Sequence, residues 1–94
     1  MHEHTEQVNR RRDRSQIIKE TLEIMQGGEK TYSRIMNKVG SDQRRFKPLF
    51  NMLKSNGIIT GRDRGNGQYE YMLTKEGSEC LRDLKRVLAC LSSY

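Results

Sequence analysis

Residues 31–73, TYSRIMNKVG SDQRRFKPLF NMLKSNGIIT GRDRGNGQYE YML, decide how this chain folds. Ile35, Met36 and Val39 mark one side of a short helix over roughly 32–39, led in by an extended piece at 29–31. Gly40 supplies a turn and Asp42 a good N-cap. Phe46, Leu49, Phe50 and Leu53 then recur at i, i+3, i+4 and i+7, the stripe of a second helix that Gly57 ends. The period next switches from helix to strand. Ile58-Ile59-Thr60 leads into a loop at 61–67, and residues 68–73 alternate Tyr69, Tyr71 and Leu73 on one face. Asn66-Gly67 between them is a strong hairpin signal. Alternation puts both tyrosines with Leu73, so core packing is expected of them ahead of stacking on bases.

Outward from this stretch, Asp13 and Gln16 have the spacing of a capping box opening a helix. In that helix Ile17/Thr21/Ile24 and Ile18/Leu22/Met25 form adjacent stripes, and Gly27-Gly28 stops it. Thr74 is the N-cap candidate of a last helix reaching about residue 91. Its Leu81, Leu84, Leu88 and Leu91 follow a 3-4-3 spacing, two heptads at most, so covering the core and forming a dimer seam are both open to it. Two short helices joined by a Gly-containing turn and followed at once by a hairpin make a winged helix-turn-helix. The expected class is α+β, mostly α, with a two- to three-stranded wing and a C-terminal amphipathic helix. The expected organisation is a disordered basic arm at 1–12, the winged domain at 13–74 and the last helix at 75–94.

Charge is distributed as unevenly as pattern. Residues 34–64 contain eight Lys/Arg against Asp42 and Asp63, which is the whole net charge of +6; the other 63 residues carry ten basic and ten acidic side chains. Positive charge focused on one supersecondary unit suits a polyanion, because each phosphate neutralised releases counterions. Double-stranded DNA is therefore the expected partner, and a protein–protein or RNA-binding module on the same fold is the alternative. With the apolar stripe of the second turn-helix inward, Arg44, Pro48, Asn51 and Ser55 fall on the opposite ridge, flanked by Gln43 and Lys47 on one side and Arg45 on the other. Gln43, Arg44, Lys47 and Asn51 are the base-edge candidates, since Arg can pair bidentately with guanine and Gln or Asn with adenine. Arg34 and Lys38 suit phosphate clamps. Arg62 and Arg64 lie on the loop, Arg64 being the choice for a narrow minor groove. Arg10, Arg11 and Arg12 could act as a minor-groove arm. Pro48 removes a hydrogen bond to the Arg44 carbonyl and is expected to kink the helix or shorten its front.

Other chemistry finds little footing. His2 and His4 precede the fold, so no Ser/His/Asp or Cys/His constellation and no preorganised metal site is expected, nor any cofactor or small-molecule substrate. Cys80 and Cys90 fit no zinc spacing. No apolar run approaches a membrane span, and residues 1–14 lack a signal-peptide core, so a soluble, cytoplasmic, nucleoid-associated protein is expected.

Four ordered motifs carry a family resemblance: Ser33-Arg34-Ile35-Met36, Lys47-Pro48-Leu49-Phe50-Asn51-Met52-Leu53, Asn56-Gly57-Ile58-Ile59 and Tyr71-Met72-Leu73-Thr74-Lys75-Glu76-Gly77. Together, over roughly residues 13–84, they resemble the small archaeal winged-helix proteins of the 10a chromatin type. The resemblance implies DNA binding by a homodimer joined through antiparallel C-terminal helices, with Leu81, Leu84, Leu88 and Leu91 at the seam. This chain departs from that family in a longer basic arm, in Pro48, and in a shorter final helix.

Overall fold

The structure, a computed structural model, describes residues 13–92, so the expected arm at 1–12 lies outside the described residues. The first helix, α1, spans Arg14–Gln26. Asp13 caps it by accepting from the Gln16 N–H at 2.9 Å. The reciprocal half of the box is not made, because the Gln16 side chain donates to Glu20 instead. The Gln16 N–H, with the Ser15 hydroxyl, holds the Asp13 carboxyl below its ordinary range. Leu22 and Met25 enter the core, and the buried Thr21 satisfies its hydroxyl on the Ile17 carbonyl at 2.8 Å.

Helix α2, Tyr32–Val39, and helix α3, Gln43–Ser55, follow as the spacing predicts. Gly40 between them adopts the left-handed φ of 79° that lets the chain reverse in three residues. Asp42 caps α3 through the Arg45 N–H at 2.9 Å, and the Phe46 N–H reaches the Asp42 carbonyl at 2.9 Å. The expectation that Pro48 shortens the front of this helix is therefore corrected: α3 begins at Gln43 and carries Pro48 inside it. A capped first turn compensates, and Pro48 stands on the exposed ridge, where water can serve the Arg44 carbonyl it leaves without a donor. Pro48→Ala is expected to stabilise the domain by about 1–2 kcal/mol, the regained helical bond being partly offset by a more flexible unfolded chain. Thermal melting of the two proteins checks this.

Strands β1, Ile59–Asp63, and β2, Tyr69–Leu73, pair antiparallel, with Ile59 opposite Leu73, Arg62 opposite Glu70 and Asp63 opposite Tyr69. A third strand is present only as one backbone bond, from the Tyr71 N–H to the Lys30 carbonyl at 2.8 Å. The last helix, α4, spans Lys75–Ser92. Thr74 caps it, its hydroxyl accepting from the Gly77 N–H at 2.9 Å.

The core is the meeting of all these stripes. Leu22, Ile35, Phe46, Phe50 and Leu81 are its most deeply buried apolar side chains. Tyr32 lies 5.4 Å from Phe46 and 5.1 Å from Phe50, ring centre to ring centre, and Phe50 meets Tyr71 edge-on at 5.0 Å. Burial, and secondarily Tyr71 nearby, pushes the Tyr32 phenol up from its ordinary value. Tyr69 departs from its expected place. It shares a face with Tyr71 but sits beyond the edge of the core, 51% exposed and stacked on Tyr71 at 6.0 Å. Leu81, expected at a dimer seam, is buried in this core, which leaves Leu84 and Leu88 half-buried and Val87 and Leu91 54% and 61% exposed.

Candidate nucleic-acid interface

Helix α3 presents what its sequence spacing predicts. With Phe46, Leu49, Phe50 and Leu53 buried, the side chains of Gln43, Arg44, Arg45, Lys47, Pro48 and Asn51 are all exposed. Among the described residues, Arg44, Arg45 and Lys47 enter no ion pair. Their positive charge, added to the positive end of the α3 dipole, is open to an incoming anion. Asp42 is the acidic group nearest in sequence, and its carboxylate is engaged by the Arg45 N–H.

The cations of α2 and of the wing are held differently. Glu29, whose side chain is only 17% exposed, lies 2.9 Å from the Lys38 ammonium and 3.5 Å from the Arg34 guanidinium. The hydrogen bond from Lys38, ahead of the charges of Lys38 and Arg34, holds the Glu29 carboxyl below its ordinary range. Glu70, 16% exposed, does the same on the hairpin: Arg64 Nη1 binds Glu70 Oε2, and Arg62 Nη2 lies 3.8 Å from Oε1. Each half-buried carboxylate thus gathers two cations and leaves each group of three a single net positive charge.

The wing is also longer and stiffer than its sequence suggests. Residues 61–63, read as loop, belong to β1, so Arg62 stands on the strand rather than at the tip. The turn proper is Gly65-Asn66-Gly67, with φ of 98° and 82° at its two glycines. It is fastened by Arg64 N–H to the Gln68 carbonyl at 2.8 Å and by Gly65 N–H to Asp63 Oδ1 at 2.9 Å. Gly61 is in the strand because the Tyr71 ring lies across it; a Cβ there would stand 2.8 Å from Tyr71 Cε1. Lys54 closes the other side, its ammonium 5.9 Å and 5.4 Å from the centres of the Phe50 and Tyr71 rings.

Of the site residues named from sequence, then, the structure brings Gln43, Arg44, Arg45, Lys47 and Asn51 together on α3 as a ridge with no acidic partner among the described residues. It gathers Arg34 with Lys38 on Glu29 and Arg62 with Arg64 on Glu70 as two carboxylate-bound pairs. Arg10, Arg11 and Arg12 lie outside the described residues. Two residues were missed. Centring the hairpin on Asn66 would have placed Glu70 opposite Arg62, but Glu29 reaches Arg34 and Lys38 at no regular helical spacing. Among the described residues no group of His, Cys, Asp and Glu could hold a metal ion, and no helix is long and apolar enough to cross a membrane.

Residues 11–91 match the winged helix-turn-helix family. No sequence relative was found among curated proteins. A solved structure, that of a MarR-family transcriptional regulator from Silicibacter pomeroyi, superposes with a TM-score of 0.64 at 14% identity. The match covers 98% of this chain and 64% of that one, so the chain spans less than two thirds of that regulator's length. At this identity the likeness is one of fold. By the extent of the family match, this chain belongs to the winged helix-turn-helix family.

Proposed function

We propose that this protein binds double-stranded DNA, as a small transcription regulator or a chromatin-associated protein without enzymatic activity. In this reading α3 enters the major groove, with Gln43, Arg44, Lys47 and Asn51 toward base edges and Arg45 toward the backbone. Arg34 and Lys38 clamp phosphates, and Arg64, with Arg62, meets the minor groove from the wing. Arg10, Arg11 and Arg12 follow the duplex as an arm. The observation that carries the reading is the exposed α3 ridge, whose three cations have no acidic partner among the described residues. The motif resemblance to the archaeal 10a chromatin proteins supports the chromatin version, and the fold likeness to a MarR-family regulator supports the regulatory one. Either version places the protein in the cytoplasm, on the nucleoid.

Selection of bound sequences from random duplexes separates the versions. A regulator enriches a site, and Arg44→Ala or Asn51→Ala then relaxes one or two positions at a cost of about 1–3 kcal/mol. A packager enriches none. Absence of duplex binding at low salt would pass the fold to an RNA or acidic protein partner.

The proposal includes a homodimer through α4. Val87 and Leu91 are exposed, with Leu84 and Leu88 half-buried beside them, an apolar strip longer than the protomer covers. Paired antiparallel on a two-fold axis, it would set two α3 helices about 34 Å apart or a multiple of that, one half-site each. Sedimentation at micromolar concentration is expected to give twice 11.0 kDa and Val87→Glu a single chain. A wild-type mass of one chain removes the dimer.

A further inference from the structure

We propose that a groove between the N-terminal ends of α1 and α3 is a second contact for DNA, seating the sugar–phosphate backbone beside the stretch that α3 reads. This inference rests on the DNA-binding reading above. The groove is lined by Arg14, Arg44 and Arg45, with Ile17, Pro48 and Leu49 between them. No helical period singles out Arg14, which is the one cation in the first turn of α1 and lies two residues after the run Arg10-Arg11-Arg12.

Its chemistry fits a phosphodiester chain on three counts. All three cations are arginines, and the two that are not assigned to base edges, Arg14 and Arg45, offer a planar fork that matches two phosphate oxygens at once where a lysine offers one point charge. None enters an ion pair among the described residues, and Arg14 makes only a weak contact, from Nη2 to the Met52 sulfur at 3.7 Å. Between them lies an apolar floor, which suits the C–H faces of deoxyribose. A free inorganic anion would have no use for it.

The placement of these arginines also runs against helix stability. Cations are unfavourable at a helix N-terminus, where the dipole is already positive and acidic residues are preferred. Yet α1 and α3 carry no acidic residue in their first turns, and both place arginine there. The N-cap carboxylates Asp13 and Asp42 are turned to the Gln16 and Arg45 N–H groups and pair with none of the three guanidiniums. Two positive helix ends and three arginines with no ion pair among the described residues thus converge on one groove. An anion seated there relieves the repulsion that the free protein retains.

The test compares wild type, Arg14→Gln and Arg45→Gln by fluorescence anisotropy over a salt series. Each protein meets a duplex of the minimal footprint and the same duplex extended at both ends. Both substitutions are at exposed positions, and thermal melting reports that each variant is folded. On the extended duplex each is expected to weaken binding on the order of tenfold at 0.1 M salt and to flatten the log–log salt slope by about 0.9, equally for every sequence. The loss from Arg14→Gln should shrink on the minimal duplex, which lacks the flanking backbone. Wild-type slope and affinity for Arg14→Gln on a duplex that wild type binds would overturn the groove while leaving DNA binding by α3 intact. So would a loss confined to one base pair, since Arg14 would then be reading a base. If wild type binds no duplex, the functional reading itself fails and the groove falls with it.

Discussion

Gly77→Ala is expected to cost the domain about 3 kcal/mol or more, although the same change in most helices would stabilise by up to about 1 kcal/mol. The reversal of sign follows from where α4 begins. Gly77 is buried, and a Cβ built on it would stand 2.2 Å from the Ile58 carbonyl oxygen and 3.2 Å from the carbonyl carbon. Those atoms are backbone at the junction of α3 and β1, so no rotamer change can move them aside. The same carbonyl accepts from the Thr74 N–H at 3.1 Å, and the Thr74 hydroxyl is shared between it, at 3.2 Å, and the Gly57 carbonyl, at 2.6 Å. Thr74 also caps Gly77 itself. A methyl group at position 77 must lift α4 from this clasp, loosening the cap, worth about 1 kcal/mol, and drawing Leu81 out of the core. Marginal domains have about 5–15 kcal/mol in all, so the loss is a large fraction. Urea denaturation should show the midpoint fall with little change in slope. A Gly77→Ala protein as stable as wild type would mean that α4 does not approach Ile58 so closely. Thr74→Ala is the milder companion, expected to cost about 1 kcal/mol.

This clasp marks the boundary of what was legible in the sequence. Threonine followed three residues later by glycine could be read as an N-cap and a family motif. That the glycine admits a carbonyl from residue 58 depends on how α4 crosses the α3–β1 junction, which no local period encodes. The stripes of α1, α2 and α3 were legible because burial on one face repeats every turn, and Phe46, Leu49, Phe50 and Leu53 all entered the core. Position 61 misled for a physical reason. Glycine read as loop because isolated strands disfavour it, yet here two tyrosine rings from the opposite strand fill the room its side chain leaves. Pro48 misled because its lost hydrogen bond was weighed above the Asp42 cap, which was legible and which holds the turn in front of it. The candidate site divides in the same way. Which side chains α3 exposes is set by geometry within one helix and could be read from it. The pairing of Arg34 and Lys38 with Glu29 joins elements that only tertiary structure brings together.

The corresponding pairing on Glu70 changes what the basic residues of the wing are expected to do. Counted by sequence, Arg62 and Arg64 are two free cations; in the fold they share Glu70, one of whose oxygens is buried without a hydrogen-bond partner. Removing both arginines would take away up to two phosphate contacts, on the order of 50-fold in duplex affinity at 0.1 M salt, and flatten the log–log slope by up to about 1.8. It would also leave a half-buried carboxylate on the face proposed to meet DNA, and Arg62→Ala/Arg64→Ala should therefore bind more weakly than lost contacts alone explain. Glu70→Gln reads the carboxylate directly. With its charge gone, both arginines are free for phosphate, so this variant is expected to bind duplexes several-fold more tightly and with a slope steeper by up to about 0.9. Added to the double variant, the same substitution should recover part of the loss, because the wing then keeps only the Asp63 charge instead of those of Asp63 and Glu70. A gel-shift titration of the four proteins at two salt concentrations closes the cycle. Weaker binding by Glu70→Gln would reverse the assignment: the carboxylate would then be aiming Arg62 and Arg64 at the groove, and its ion pairs would strengthen DNA binding where they are here expected to compete with it.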